Sequence, residues 1–254
     1  MTMEDSAVDA AARHLNGLLS AGRVGVRLAP LCRPEQPFDA WRIQRRVSAL
    51  RQRPVTGWKC GLPATDRWVV AALHDAVPSG SKVKAPPGPS GEGRIEPELA
   101  FELRHDLPPR EQAYGAAEVF AAIGSVRLAV EVLGCRYEDA SQASGPELMA
   151  DGLWHQALVL GPSIIDLPAE PAFTLTVAVD GSATYTLAAR HPDGDPRRAL
   201  VWLAEFLRQQ GHGLVAGQVV ITGSLAGVIG LPFGHRCVLR YQGFGEMAIT
   251  LVPF

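Results

Sequence analysis

The sequence predicts an α+β protein in which a helical region of residues 1–84 precedes a strand-rich region of residues 85–254. Near the N-terminus, apolar residues recur every three or four positions, which is the spacing of an amphipathic helix. The segment APPGPSGEG at 85–93 is rich in proline and glycine, as loops are, and divides the two regions. Beyond it most apolar runs are short, which favours strands. We expect the two regions to form one functional unit.

Three helices are predicted before this loop. The first has a repeating apolar face and ends at Gly22, a residue typical of helix C-termini; the face comprises Ala7, Val8, Ala11, Ala12, Leu15, Leu18 and Leu19. The second begins at Asp39 as its N-cap and is expected to carry Ile43, Val47 and Leu50 on its apolar face. A short third helix is expected after Thr65, with an apolar face of Trp68, Val69, Ala72 and Leu73.

The remainder is predicted to alternate strands with two helices. Asp180-Gly181-Ser182 suits a hairpin turn, and Asp195-Pro196 opens an amphipathic helix that ends at Gly211. A shorter helix is expected at 112–123, followed through Gly124 by a strand. The strands are expected at 94–103, 126–133, 157–160, 173–179, 218–222 and 237–252.

The composition excludes several classes of protein. The chain has 254 residues, of which 47% are hydrophobic and 20% charged, as in ordinary globular proteins. Net charge is -2 and no block of Lys or Arg stands out, so we expect no binding to nucleic acid or membranes. Residues 209–235 contain no Asp, Glu, Lys or Arg, but their seven glycines favour strands and turns over a membrane span.

The cysteines and the N-terminus indicate a reducing compartment. No cysteine belongs to a CxxC pair, so free thiols are predicted at Cys32, Cys60, Cys135 and Cys237. The first residues include Glu4, Asp5 and Asp9 where a signal peptide would have a basic flank and an apolar run. We therefore expect a cytoplasmic protein.

A group of glutamates lies in the predicted strand at 94–103. Alternation places Ile95, Leu99 and Phe101 on one face and Glu96, Glu98 and Glu102 on the other. Like charges on one face repel each other, so either solvent or a cation must offset them. Taken alone, this segment favours a solvated polar face.

Glu131 changes that balance because it interrupts the apolar run Leu128–Leu133. An ionised carboxylate in a buried strand costs several kcal/mol unless it is paired or binds a metal. Arg136 or Arg127 could pair with it in a structural ion pair. Alternatively, Glu131 joins Glu96 and Glu98 around one hard cation, Mg²⁺ or Mn²⁺, because carboxylate oxygens suit these ions. The residues alone leave both interpretations open.

Lys59 is the third candidate, within Gly57-Trp58-Lys59-Cys60-Gly61. A lysine enclosed by Trp, Cys and two glycines is expected to be partly buried. A buried lysine can transfer protons or stabilise an anion. The alternative is a surface lysine whose ammonium extends into solvent.

Together these residues resemble the 2-keto-4-pentenoate hydratase and 4-oxalocrotonate decarboxylase family of the fumarylacetoacetate hydrolase superfamily. The resemblance rests on four segments in order: GWKCG at 57–61, EPE at 96–98, AVEVLGCR at 129–136 and TGSL at 222–225. It implies a mixed β-roll at 85–254, preceded by a helical region that carries the active-site lysine, Lys59. It also implies Mg²⁺ or Mn²⁺ held by Glu96, Glu98 and Glu131, a small 2-oxo or 2-hydroxydienoate acid as substrate, and a homo-oligomer.

The sequence departs from this family in two places. Gly134 stands where the family commonly has Asp, and Ala150-Asp151 is followed by Gly-Leu-Trp-His at 152–155 where the family has a small polar run. Those residues include Trp154 and His155. If both face the site, the substrate differs from the usual pentadienoate. The residues expected to bind substrate are Asp151, His155, Thr222 and Ser224.

The resemblance implies a metal-dependent lyase, with 2-keto-4-pentenoate hydratase-like activity expected first. The alternatives are a 4-oxalocrotonate decarboxylase-like enzyme, an acylpyruvate C–C hydrolase and a non-catalytic ligand-binding protein. The hydrolase is disfavoured because its histidine would lie on an N-terminal segment, where this chain has only His14 on a predicted amphipathic helix.

Overall fold

The computed structural model describes residues 2–64 and 67–254. Its α-helices are Asp5–Ala21 (α1), Pro37–Arg51 (α2), Ala116–Ala121 (α3), Gly145–Ala150 (α4) and Arg197–Gln209 (α5). Its strands are Gly57–Ala64 (β1), Arg67–Leu73 (β2), Ala76–Pro78 (β3), Lys82–Ala85 (β4), Gly93–Leu103 (β5), Ile123–Leu133 (β6), His155–Ile164 (β7), Ala172–Val179 (β8), Ser182–Arg190 (β9), Val219–Ile221 (β10), Ile229–Leu231 (β11), Arg236–Tyr241 (β12) and Gly245–Pro253 (β13).

The strands form two mixed sheets. The larger has the order β2-β1-β10-β5-β6-β7-β3, with β11 also paired to β5; the smaller has the order β4-β13-β12-β8-β9. Most pairs are antiparallel, but β1 runs parallel to β10, β3 to β7 and β4 to β13. The parallel pairs bring strands from the start of the chain into both sheets.

Two main apolar clusters hold these layers together. One lies between the sheets and includes Leu99 and Val130 of the larger sheet with Leu175, Leu239 and Leu251 of the smaller one. The other packs α1, α2 and α5 against the larger sheet, through residues such as Leu15, Ile43, Leu203, Trp58 and Phe101. The central strands β5 and β6 are therefore covered by protein and offer low-dielectric positions for buried side chains.

The first two helices follow the sequence prediction closely. α1 ends at Gly22, which adopts the left-handed conformation (φ 60°) and donates its N–H to Leu18 and Leu19 carbonyls. The N-cap of α2 is Gln36, three residues before the predicted N-cap Asp39, and the helix begins at Pro37 because proline fits the first turn of a helix. Asp39 consequently lies inside the first turn, where its carboxylate accepts a hydrogen bond of 2.9 Å from Arg42.

The prediction of a third helix before the central loop is wrong. Residues 67–73 form β2, which pairs along its length with β1; Thr65, where the helix was expected to start, lies outside the described residues. The N-terminal region is therefore helical only up to Arg51, and β4 crosses the expected boundary at residue 84. The predicted helix at 112–123 is also shorter, and Gly124 lies within β6.

Other expectations agree with the structure. Asp180 and Gly181 form the turn between β8 and β9, both with positive φ. All four cysteines are free. The uncharged stretch 209–235 forms turns and the short strands β10 and β11, and no helix in the described ranges is long and apolar enough to cross a membrane.

Candidate metal and substrate site

Glu96, Glu98 and Glu131 converge because β5 and β6 are neighbours. Glu96 lies directly opposite Glu131 in the antiparallel register, and Glu98 is one side-chain position further along the same face of β5. One carboxylate oxygen from each glutamate can be chosen so that all three oxygens lie within 4.8 Å of one another. Three carboxylate oxygens in this arrangement fit a hard divalent cation such as Mg²⁺, Mn²⁺ or Ca²⁺.

Lys59 extends from β1 towards the same carboxylates. Its Nζ donates hydrogen bonds to Oε2 of Glu131 at 2.7 Å and to the carbonyl of Leu153 at 3.0 Å. Burial disfavours the charged amine, but Glu131, Glu96 and Glu98 outweigh that effect and raise the pKa of Lys59. The ammonium therefore offsets part of the repulsion between the three glutamates.

The three carboxyl groups differ in the direction in which their pKa values are shifted. Burial, and then the nearby Glu131 carboxylate, hold the pKa of Glu98 well above its usual range; the backbone N–H of Gly223 donates to Glu98 Oε2 at 2.8 Å and opposes this only in part. The pKa of Glu96 is also raised, mainly by burial. Burial acts on Glu131 in the same direction, but Lys59 and His155 outweigh it and lower the pKa of Glu131 to about 2.

His155 holds the second oxygen of Glu131. Its Nδ1 lies 2.8 Å from Glu131 Oε1, and its side chain is nearly buried. Burial lowers the pKa of His155, partly opposed by Glu131, so the ring is neutral at pH 7. A neutral ring facing a carboxylate must carry its proton on Nδ1 and donate it. Glu131 is therefore fixed by Lys59 on one oxygen and by His155 on the other.

A cavity of about 630 Å³ opens beside the glutamates. Lys59, Glu96 and Glu98 line it, together with Thr222 and Ser224 from the segment after β10. Thr222 is buried and its carbonyl accepts a hydrogen bond from His191 Nε2 at 3.1 Å, while the Ser224 hydroxyl donates to the carbonyl of Gly227 at 2.8 Å. These two predicted residues thus lie at the cavity, although each already has a partner within the protein.

The segment before β7 adopts an unusual backbone conformation beside this cavity. Gly152, Leu153 and Trp154 all have positive φ, at 89°, 54° and 68°. Non-glycine residues in this region cost on the order of 1–3 kcal/mol each and persist only where surrounding structure enforces them. The conformation directs the carbonyl of Leu153 to Lys59 and that of Trp154 to the N–H of Gly134, and Leu153 and Trp154 both line the cavity.

Two other sequence expectations have a different outcome. Asp151 forms a buried ion pair with Arg136, whose Nε lies 2.6 Å from Asp151 Oδ1, and is not among the residues that line the glutamate cavity. Arg127 donates to the carbonyl of Gly161. Neither arginine therefore pairs with Glu131, whose partners are the ammonium of Lys59 and the Nδ1–H of His155.

The structure also explains the departure at Gly134. A Cβ added there would lie 2.9 Å from Cδ and Cγ of Pro86 and 3.1 Å from Oε1 of Gln156. An aspartate does not fit at this position without movement of the loop that follows β4.

The sequence did not point to His191 or Arg94 as part of the site, nor to Glu98 as the partner of the Gly223 N–H. Gly223 supplies a backbone N–H to Glu98, His191 orders the Thr222 segment, and Arg94 lines the cavity from β5. The signal for Arg94 was available, because it has the same strand parity as Glu96 and Glu98. No local sequence signal marks His191 or the contact between Gly223 and Glu98, since the partners are distant in the chain.

The family model for the fumarylacetoacetate (FAA) hydrolase C-terminal region matches residues 58–252. The chain belongs to the fumarylacetoacetate hydrolase family. Its relatives include 2-keto-4-pentenoate hydratase of Burkholderia vietnamiensis, 25% identical over 97% of this chain and 98% of that protein. They also include 4-oxalocrotonate decarboxylase of Pseudomonas putida, 27% identical over 86% of this chain and 87% of that protein.

A solved structure of this family confirms the expected fold. 4-Oxalocrotonate decarboxylase from Pseudomonas putida G7, solved with magnesium and adipate, superimposes with a TM-score of 0.78 at 22% identity and covers 99% of both chains. The α+β architecture, a mixed β-roll preceded by N-terminal helices, is thereby confirmed. The family predicted from the four sequence segments is also confirmed, because relatives of both named activities span most of the chain.

Proposed function

We propose that the protein is a divalent-metal-dependent lyase that acts on a small 2-oxo or 2-hydroxydienoate acid, with 2-keto-4-pentenoate hydratase-like activity. The observation that carries this proposal is the convergence of Glu96, Glu98 and Glu131 within 4.8 Å, with Lys59 Nζ 2.7 Å from Glu131, beside a cavity of about 630 Å³. Relatives named as hydratases and decarboxylases support the reaction class.

Glu96, Glu98 and Glu131 would hold the metal, and Mg²⁺ or Mn²⁺ suits their oxygen donors. The related decarboxylase solved with magnesium supports the first of these ions. When bound, the ion supplies Lewis-acid stabilisation of negative charge on the 2-oxygen of the acid. His155 orients Glu131 for this role through its Nδ1–H.

Lys59 is the residue proposed to act on the substrate. Its Nζ reaches the carboxylate cluster and also lines the cavity, so it can move a proton at the substrate or bind the carboxylate next to the 2-oxygen. The Thr222–Ser224 segment presents polar groups to the same cavity. Trp154 also lines this cavity, and its indole is proposed to make the smallest dienoates poor substrates.

Three other functions are alternatives. A 4-oxalocrotonate decarboxylase-like reaction uses the same charge stabilisation and is supported by relatives of that name. The acylpyruvate hydrolase is less well supported, because His14 hydrogen-bonds the carbonyl of Val26 and is not among the residues that line the cavity. A non-catalytic ligand-binding role is disfavoured by the complete set of Lys59, Glu96, Glu98 and Glu131.

The protein is proposed to be a cytoplasmic homo-oligomer, as the family resemblance and the free cysteines suggest. Its partner in binding is a small 2-oxo acid, and the balanced charge gives no basis for nucleic-acid or membrane binding. Light scattering after size-exclusion chromatography tests the assembly.

The test is turnover of a panel of 2-hydroxydienoates by purified protein with Mg²⁺ or Mn²⁺, followed by ultraviolet absorbance and by CO₂ release. Loss of absorbance without CO₂ identifies a hydratase, and loss with stoichiometric CO₂ identifies a decarboxylase. Turnover that does not depend on an added divalent ion, or no turnover of any panel member, contradicts the proposed function. The Glu98→Gln variant is the matched control, since it keeps shape but removes a ligand charge.

A further inference from the structure

Arg94 is a cation in the glutamate cavity that forms no salt bridge with any residue the structure describes. Its side chain lines the cavity of about 630 Å³ that Lys59, Glu96 and Glu98 also line. Among the described residues, no carboxylate oxygen lies within 4.0 Å of its guanidinium nitrogens. The Arg94 Nε is buried, and no described residue accepts a hydrogen bond from it. A buried donor without a partner costs on the order of 1–3 kcal/mol, so its retention needs a reason.

Trp154 holds this guanidinium in place. The Arg94 Cζ lies 4.9 Å from the centre of the Trp154 ring. A Cβ added at Gly88 would come within 3.0 Å of Arg94 Cδ, so the aliphatic stem packs closely against the loop after β4. Stacking on an aromatic face leaves the edge of the guanidinium, with its N–H groups, free to bind an anion. Arg94 and Trp154 also line a second cavity of about 640 Å³, and thus form the wall between the two cavities.

The position of Arg94 relative to the glutamates is fixed by β5. Arg94, Glu96 and Glu98 alternate along one face of the strand, so Arg94 lies two residues, about 6.7 Å along the strand, from Glu96. A ligand whose 2-oxo acid end lies at the glutamates therefore reaches Arg94 after a few carbon atoms. The cavity therefore has Lys59 and the glutamate cluster at one end, for the 2-oxo acid group, and the Arg94 guanidinium at the other.

We infer that the Arg94 guanidinium, stacked on Trp154, binds a second carboxylate at the far end of the substrate. The inference rests on the proposed function and narrows its substrate class to dicarboxylic 2-oxo or 2-hydroxydienoate acids. Arg94 supplies the planar pair of N–H donors that binds a carboxylate in bidentate fashion. Trp154, which replaces a small polar residue of the family pattern, supplies the surface that orients it.

The test compares two ligands that differ only in the second carboxylate. 2-Oxohexanedioate and 2-oxohexanoate have equal chain length and lack the diene, so their binding is measured without turnover. Isothermal titration of the full-length protein with Mg²⁺ is expected to show at least about tenfold tighter binding of the dicarboxylate, as a charge-assisted bidentate contact gives. Equal affinity of the wild-type protein for both ligands overturns the inference without need of any variant.

Two variants test whether Arg94 causes the preference for the dicarboxylate. Arg94→Met keeps the length of the stem and is expected to lose the dicarboxylate preference, while the affinity for 2-oxohexanoate changes by less than about twofold, because only the second carboxylate loses its partner. Arg67→Met removes a charge from the same cavity, but at an exposed position, and is expected to keep the preference. Loss of the preference in Arg67→Met, or its persistence in Arg94→Met, overturns the inference.

The dependence on Mg²⁺ separates this inference from the proposed function. If 2-oxohexanoate binds equally well with and without Mg²⁺, the proposed metal-dependent function fails, whatever the preference for the second carboxylate. If binding requires Mg²⁺ but shows no such preference, the proposed function stands and the role of Arg94 fails. If neither ligand binds in the presence of Mg²⁺, both the proposed function and the inferred role of Arg94 fail.

Discussion

Glu131 is the residue on which the candidate site depends most. It is fully buried in β6, faces Glu96 across the strand pair, and has both carboxylate oxygens bound, one by Lys59 and one by His155. A buried carboxylate without partners would cost several kcal/mol, so these two donors maintain a charged group within the sheet. The two donors have different roles, which substitution can separate.

Replacement of Lys59 by Met is expected to abolish most turnover and to spare the fold. The Nζ atom is the proposed proton-transfer group, and loss of such a group typically lowers kcat by about 10²- to 10⁴-fold. Mg²⁺ affinity is expected to be at least as high as in the wild type, because the ammonium no longer competes for Glu131. Steady-state kinetics and isothermal titration measure the two effects. Wild-type kcat in this variant would assign Lys59 to structure.

Replacement of His155 by Leu is expected to weaken Mg²⁺ binding by about 10- to 100-fold, the usual effect of removing a residue that orients a metal ligand. His155→Asn is the matched control, because its amide N–H can replace the Nδ1–H and is expected to recover most of the affinity. Isothermal titration with Mg²⁺ measures both. Equal losses in the two variants would show that packing, and not the hydrogen bond to Glu131, is what His155 provides.

At the scale of secondary-structure elements, the left-handed segment Gly152–Trp154 determines where Lys59 and Trp154 meet the cavity. Its backbone carbonyls accept hydrogen bonds from Lys59 and Gly134, so a change in its conformation would displace the contacts that hold Lys59 and Trp154 at the cavity. The segment joins α4 to β7, whose first residue is His155. The conformation of this segment therefore links the cavity-lining residues Leu153 and Trp154 to Glu131, which His155 orients.

Gly152→Ala is expected to lower the free energy of unfolding by about 1–2 kcal/mol, the cost of a side chain in the left-handed region. Space is not the cause, because the nearest atom to an added Cβ is Arg136 Nη2 at 3.9 Å. Gly17→Ala in α1 is the control, where no atom lies within 4 Å, and is expected to stabilise by roughly 0.5–1 kcal/mol. Urea denaturation of both variants measures the difference, and a neutral Gly152→Ala would argue against a strained segment.

How far the elements could be predicted depends on whether their partners are local. The spacing of Glu96 and Glu98 along β5, and the isolation of Glu131 in an apolar run, pointed to the carboxylate cluster correctly. The helix expected around Trp68 and Val69 was wrong, because helical spacing in a short apolar run gave way to pairing with β1. β1 was not predicted either: its antiparallel partner β2 follows directly in the chain but was taken for a helix, and its parallel partner β10 lies about 160 residues further on.

At the scale of the whole molecule, metal binding and proton binding are expected to compete. The raised pKa values of Glu96 and Glu98 mean that the folded, metal-free protein binds protons more tightly there than the unfolded chain does. The stability these two groups contribute is therefore present at low pH and is lost as pH rises through their folded pKa values. The metal needs the deprotonated forms, so its affinity rises over the same pH range.

The corresponding prediction concerns thermal unfolding. At a fixed concentration equal to 100 times its Kd at pH 8, Mg²⁺ is expected to stabilise the fold at that pH by about 2.7 kcal/mol, which raises the Tm of a chain this long by about 5–10 °C. The rise is expected to be larger at pH 8 than at pH 6, because fewer protons must be displaced. Differential scanning calorimetry measures it, with Glu98→Gln as the variant that loses most of the rise. An equal rise at both pH values would contradict the competition.

The placement of Lys59 among the glutamates has a further consequence. The ammonium acts as a built-in counter-ion, so the carboxylate cluster never stands without positive charge, even when a chelator such as EDTA has removed every divalent ion. Proteins whose fold depends on a structural metal unfold when a chelator removes that metal. Here the cluster lies within a sheet that is packed on both sides by apolar residues. We therefore expect the metal-free protein to stay folded, so that one divalent ion could be exchanged reversibly for another, such as Mn²⁺ or a spectroscopic probe ion.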